Sequence, residues 1–270
     1  MFLYLIMAYE KFLIVASKLD KAGMNITTQL SQFGDFKFYL VDNEVIYTEN
    51  LDLEKINTFD FVIFASKHVS QSKEKTLAVH APGNWRSAEF GGTQGRVCRS
   101  SALFMKHAFE RIHENMLQYH LKEYNLTLEA THHGPLIDKP CVFIEIGSTE
   151  TEWNDRRVGF IVAKAISEAI KTFNPSPYRE IAIAIGGPHY SPNFNPIQLK
   201  SNIAISHIIS QYSFPLTEQM VKEAMDKTDE EIDFALLDWK GLGNSEQRDK
   251  IIEILDSLYL NYKKTSDISK

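Results

Sequence analysis

The sequence predicts an α/β fold: a mixed, mostly parallel sheet with helices on both faces, in a single domain over residues 1–270. Three observations carry this. Short apolar runs alternate with longer segments of helical period. Two of the runs, 142–146 and 181–185, are nearly continuous and β-branched, as strands buried on both faces are. No internal repeat, low-complexity tract or Gly/Ser linker divides the chain.

Taken in order, Phe12–Ala16, Phe59–Phe64, Val142–Ile144 and Ile181–Ile185 read as strands, with Phe234–Leu237 a weaker one. Between them, 101–120 places Met105, Phe109, Ile112 and Met116 on one helical stripe. Segment 155–171 does the same with Val158, Ile161, Val162, Ala165, Ala169 and Ile170, and Asn174-Pro175 stops it. Segments 198–211, 217–227 and 245–259 are read as further helices.

The chain is 44% hydrophobic, enough for a sizeable core, and its formal charge of −6 excludes a generally basic, nucleic-acid-coating protein. Cys98 and Cys141 lie far apart and outside any C-x-x-C pair, so they read as free thiols of a reducing cytosol. Residues 1–9 are apolar but lack a basic flank and a cleavage site, and they read as an N-terminal extension with Met7 as a second start. No other segment approaches eighteen apolar residues, which predicts a cytoplasmic protein without a membrane partner.

The densest polar chemistry lies in Thr131-His132-His133-Gly134-Pro135 and, ten residues on, in Glu145-Ile-Gly147-Ser148-Thr-Glu150-Thr-Glu152-Trp153. Neutral imidazoles bind metals and move protons near pH 7, and carboxylates do both. The apolar run between them reads as an active-site strand. In an extended segment adjacent histidines face opposite ways, so one of His132 and His133 is expected to face the pocket. Thr149-x-x-Glu152 also matches a capping box, which gives Glu150 and Glu152 an ordinary helix-starting role.

Further polar groups follow strand ends: Ala65-Ser66-Lys67-His68, His80-Ala81-Pro82-Gly83-Asn84-Trp85, Gly186-Gly187-Pro188-His189 and Asp238-Trp239-Lys240-Gly241. Ligands of open α/β sheets bind beyond the carboxyl ends of strands, so His68, His80, Glu145 and His189 are expected to converge in one crevice. His107, His113 and His120 are assigned to the solvated face of their helix. The chain has no G-x-S-x-G elbow, Walker loop, H-E-x-x-H or G-x-G-x-x-G, so water is the expected nucleophile.

These motifs, with Glu129-Ala130-Thr131-His132-His133-Gly134-Pro135 and Ser17-Lys18-x-Asp20-x-Ala22-x-x-Asn25, occur in the order that resembles the archaeal and plant type of D-aminoacyl-tRNA deacylase. The resemblance runs from about Ala16 to Arg248. Pro82, Pro188 and Ser206 depart from the pattern. It implies a fold similar to peptidyl-tRNA hydrolases and nucleoside phosphorylases, and a zinc-associated cytosolic hydrolase of the ester between a D-amino acid and the 3′-terminal ribose of tRNA.

His132 or His133, with Glu145, is expected to handle protons. His80, His133 and His189 are the expected metal ligands by residue type. His68, Gly83, Asn84, Gly147, Ser148 and Lys240 are expected to bind substrate, the Gly147-Ser148 backbone as a cradle near a helix N-terminus. The expected partner is the 3′ acceptor end of aminoacyl-tRNA, met by a monomer. Local basic groups should hold it: Arg96, Arg99, Lys106 and Arg111, then Arg156 and Arg157, then Lys67, Lys73 and Lys75. Steep loss of affinity with salt would follow. The alternatives are a metal-dependent hydrolase of a small ester, amide or nucleoside, and a non-catalytic tRNA-binding module.

Overall fold

Two sheets share one layer of helices. The computed structural model describes residues 9–48, 53–175 and 179–268. In chain order its elements are β1 (Phe12–Ser17), α1 (Lys21–Leu30), β2 (Lys37–Val41), α2 (Leu53–Asn57), β3 (Phe61–Val69), β4 (Thr76–His80), β5 (Gly83–Asn84), β6 (Arg96–Val97), α3 (Ala102–Gln118) and β7 (Asn125–Leu128). There follow β8 (Cys141–Ser148), α4 (Glu150–Trp153), α5 (Arg156–Thr172), β9 (Glu180–Ile185), α6 (Asn195–Lys200), β10 (Ile203–Ile209), α7 (Glu218–Asp226), β11 (Phe234–Leu237), α8 (Ser245–Ser257) and β12 (Tyr262–Lys264).

The larger sheet runs β2-β1-β3-β8-β4-β7 and the smaller β10-β9-β11-β12, so the fold is a mixed α/β one with largely parallel pairing. Among the described residues the only antiparallel pair in either is β4 with β8. Alternation sorts the large sheet into two faces. Ile14, Ile63, Ile144 and Ile146 join α1, α3 and α5 in the main core, while Leu13, Val15, Phe64 and Phe143 pack on Val45, Ile56, Cys98 and Ile137. Helices therefore cover one face of this sheet, and single-turn α2 and loops cover the other. The smaller sheet does carry helices on both sides: Ala182, Ile205 and Leu236 face the main core, and Ile183, Ile209 and Leu237 face the layer that contains α7 and α8.

One expected helix is a strand. Residues 198–211 divide into the end of α6 and into β10, whose seven residues are all buried. A strand covered on both faces has no polar side to set its period, so its Ile spacing mimics a helix stripe. The stripes read in α3 and α5 do face the core: Met105, Phe109, Ile112, Met116, Val158, Ile161, Val162, Ala165 and Ala169 are buried. Helix ends are closed by side chains. Asp20 accepts from Gly23 N, Ser101 from Phe104 N and Asp155 from Val158 N, while Glu230 accepts from Ala102 N and Leu103 N. The expected extension over 1–9 falls on undescribed residues 1–8 and on Tyr9. Tyr9 stacks on Phe173 and donates to Asp229 at 2.5 Å.

Candidate active site

The polar cluster lies across the face of the large sheet rather than beyond its strand ends. Strand β3 continues to Val69, so His68 is inside it, paired with Gly147, while Ser66 pairs with Glu145. Because β4 runs antiparallel to β8, Ala78 pairs with Glu145 and His80 with Phe143. Paired residues share a face, which brings His68, Glu145 and His80 together on the side away from the helices. A Cβ on Gly147 would lie 2.5 Å from the His68 ring, so only glycine lets that ring fold back towards Glu145.

The second half of the site leaves β7. Ala130 N donates to His189 O and Thr131 N to Ile208 O, which stitches residues 129–133 to the smaller sheet. Gly83 N donates to His132 O and His133 O and fixes the same segment from the β4 side. His133 has φ of 45°, which breaks the strand alternation expected for the pair. Both rings consequently face the cluster: the centroids of His132 and His133 are 4.2 Å apart, and those of His80 and His132 are 4.3 Å apart.

Each of these three imidazoles has Nδ1 against a main-chain carbonyl: His80 on Ala81 O at 3.2 Å, His132 on Ala130 O at 2.8 Å and His133 on Gly134 O at 2.6 Å. A carbonyl only accepts, so Nδ1 carries the hydrogen and a neutral ring presents a bare Nε2. This is how metal-ligating histidines are oriented. One ring nitrogen from each of His80, His132 and His133 lies within 4.8 Å of the others. Glu129, His132 and His189 form a second such group, and His68, Glu129 and Glu145 a third. His80 Nε2 and both Glu129 carboxylate oxygens are buried without a hydrogen-bond partner. Glu129 Oε2 stands 3.6 Å from both His132 Nε2 and His189 Nε2, too long for hydrogen bonds. Two ligand atoms on one tetrahedral ion sit about 3.4 Å apart. These His/Glu groups could therefore hold a metal ion.

Charge is arranged to keep the His132 and His133 nitrogens bare and one carboxylate ionised. Burial, then the neighbouring imidazoles, push His132 well below the ordinary histidine range, and burial with His80 pushes His133 down to about 4. Burial would raise Glu145, but the attraction of His68 and His80 outweighs it and holds the carboxyl well below its usual range. Burial likewise pulls His68 and His80 down, and their pairing with Glu145 and the charge of Glu129 carry both above the ordinary value.

A cavity of about 510 Å³ opens onto this cluster and is lined by His68, His132, His133, Glu145, His189 and Tyr190 among others. The expected ligand set His80, His133 and His189 is thus divided between two groups that share His132. Glu129, to which the sequence reading gave no role, joins two of the groups. Its signal was a carboxylate three residues before a histidine in the Glu129–Pro135 motif.

Of the expected substrate binders, His68 lines the cavity; Gly83, Asn84, Gly147, Ser148 and Lys240 are not among its lining residues. Asn84 donates to Gly91 O at 2.8 Å, Ser148 donates to Glu74 O at 2.6 Å, and Lys240 is exposed on the turn after β11. Glu152 closes the capping box of α4, and Glu150 pairs with Lys21. His107 and His113 are half-buried and His120 is exposed. Most of the expected basic patches are neutralised. Arg96 pairs with Glu223, Arg99 with Asp229, Arg111 with Glu114, Arg157 with Glu123 and Lys67 with Glu44. Lys106 is fully buried beside Glu110. Arg156, Lys73 and Lys75 remain exposed.

A mixed α/β sheet that presents buried imidazoles and carboxylates to a cavity carries the acid–base groups of a hydrolase. Known proteins give the family. The profile of the D-aminoacyl-tRNA deacylase family matches residues 55–263. The D-aminoacyl-tRNA deacylase of Pyrococcus furiosus is 33% identical over 275 residues, 92% of this chain and 98% of that one. That of Methanocaldococcus jannaschii is 32% identical, over 92% of this chain and 96% of its own. A crystal structure of a conserved protein of unknown function superposes with a TM-score of 0.88 at 30% identity, over 96% of each chain. The chain belongs to the D-aminoacyl-tRNA deacylase family. Among the described residues, no helix is long and apolar enough to cross a membrane.

Proposed function

We propose that the chain hydrolyses the ester between a D-amino acid and the 3′-terminal ribose of tRNA, a cytoplasmic chirality-proofreading step, at the His/Glu cluster on β3, β4 and β8. The observation that carries this is the trio His80, His132 and His133, each turned by a main-chain carbonyl so that Nε2 faces its neighbours. Zinc suits this donor set, with His80, His132 and His133 to hold it and Glu129 and His189 beside them. Bound there, zinc would acidify a water and polarise the ester carbonyl.

The chain's own groups do the rest. Glu145 faces the cavity with Oε1 3.9 Å from both His80 Nε2 and His133 Nε2, placed to take a proton from the attacking water. His68 has Nδ1 3.0 Å from Glu129 Oε1 and Nε2 3.3 Å from Tyr190 Oη, placed to return a proton to the departing ribose oxygen. Rejecting L substrates by about 10⁴ takes roughly 5.5 kcal/mol, and one apolar contact supplies about 1–3 kcal/mol, so a steric or hydrogen-bond block against the L side chain is required.

The test replaces His132 and His133 together by alanine and follows D-tyrosine release from D-Tyr-tRNA. Loss of turnover by more than a thousandfold in a folded variant is expected. Intact turnover would remove both residues from the mechanism. Equal turnover of free small esters would point to the small-substrate hydrolase instead.

A further inference from the structure

Among the described residues nine large apolar side chains are exposed; Leu19, Leu117, Tyr212, Tyr259 and Tyr262 do not line the cavity, and the other four gather at its mouth. Tyr47, Val69, Phe90 and Tyr190 are 37% to 65% exposed, and all four line the cavity over Glu145. Apolar groups scattered singly need no explanation, but a group gathered at the mouth of a polar cavity marks a binding surface.

Their positions are tied to the catalytic segment. Gly134 N donates to Phe90 O at 2.9 Å. A Cβ on Gly134 would meet Ile46 O at 2.4 Å, so the turn that carries Tyr47 rests on the glycine next to His133. On the other strand, Tyr190 Oη donates to Ser70 Oγ at 2.9 Å beside Val69 and His68. The apolar groups are therefore registered to His133 and His68.

We infer that this rim stacks the unpaired nucleobase at the 3′ end of the tRNA, and that stacking rather than phosphate pairing supplies most of the affinity for the acceptor end. The inference rests on the ester-hydrolase reading above. Three of the four groups are aromatic, and proteins hold unpaired bases on aromatic rings. Phosphates are poorly served here. Among the described residues Lys67 is the only lysine or arginine lining the cavity; it is engaged by Glu44 at 2.6 Å, and Asp20, Glu44 and Glu145 set three carboxylates against it. Of the basic patches read elsewhere in the sequence, Arg96, Arg99, Arg111 and Arg157 are paired with acids and Lys106 is buried, which leaves Arg156, Lys73 and Lys75 exposed.

The experiment measures kcat/KM for wild type, Phe90→Ala and Tyr47→Ala on two D-tyrosylated tRNAs, one intact and one with an abasic terminal ribose. With about 1–3 kcal/mol per stacked base, each variant should lose roughly tenfold on the intact substrate. Wild type should lose about as much on the abasic one, and the variants little further there. Phe90→Trp, which keeps a ring, should stay within about threefold of wild type. Raising salt from 50 to 200 mM should cost under about tenfold, against roughly a thousandfold for a protein that holds six phosphates. Equal losses by the variants on both substrates would mean that the rings hold the amino acid or only support the fold, and would overturn the inference. No loss, or a steep salt dependence, would also overturn it. Failure of wild type to cleave intact D-Tyr-tRNA would sink the hydrolase reading itself.

Discussion

Replacing Lys106 by methionine should change the pH dependence of stability by a predictable amount. The ammonium is fully buried in α3, where it donates to Gln198 O and lies 3.3 Å from Glu110. Burial lowers it from 10.5 to about 8, with Glu110 opposing and Arg179 reinforcing the shift. Keeping a lysine charged in such a place costs about 3 kcal/mol at pH 7. Between about 8 and 10.5 the unfolded chain binds the proton and the folded one does not, so the wild type gains stability as pH rises through that window. The methionine variant has no such group. At pH 7 it escapes the charging cost but loses the Gln198 bond, worth about 1–3 kcal/mol, so the two proteins should lie within about 2 kcal/mol. From pH 7 to pH 10 the wild type should then gain about 2.5 kcal/mol on the variant. Urea unfolding at pH 7, 8, 9 and 10 reads this directly. Parallel stability curves would refute a buried, depressed lysine and restore Lys106 as a surface group able to meet RNA.

Other substitutions separate support from chemistry. Gly134→Ala would drive a Cβ into Gly92 N at 2.3 Å and Ile46 O at 2.4 Å, both backbone; about 1–3 kcal/mol of destabilisation and a fall in kcat are expected in thermal melts and turnover assays. Ser148→Ala removes a hydroxyl that serves Glu74 O, so about 1 kcal/mol of stability should go while KM for D-Tyr-tRNA stays put. A raised KM would put Ser148 in the substrate site. Glu129→Gln keeps the shape but weakens the anionic ligand; metal content by elemental analysis should fall at least tenfold on dialysis, and full retention would remove Glu129 from the metal group.

Much of the fold was legible in the sequence because its period survives packing. The stripes of α3 and α5 and the runs of β1, β8, β9 and β11 each have a face or a length that only one element fits. Strand β10 lacked that signal, being covered on both sides. Strand direction is not written in any local pattern either, yet the antiparallel pairing of β4 with β8 decides that the site lies on the sheet face. The Thr131–Pro135 and Glu145–Trp153 segments could be singled out from residue chemistry alone, but Glu129 could not. That both His132 and His133 face the cluster could not, because it depends on the positive φ of one residue. Nor could the hydrogen bonds by which Gly83 N holds His132 O and His133 O and Ser148 holds Glu74 O, since their partners are distant in sequence. The pairing of the basic residues was hidden for a similar reason, since their acidic partners lie up to 130 residues away.

The reaction proposed for the His/Glu cluster on this sheet is cleavage of D-aminoacyl esters of tRNA with the help of a bound metal. Tyrosine release from D-Tyr-tRNA and L-Tyr-tRNA, with and without prior chelation, tests it most directly. Fast release from the D substrate alone, lost on chelation and restored by zinc, is the predicted result. Release from neither substrate, or from both at equal rates, would contradict it.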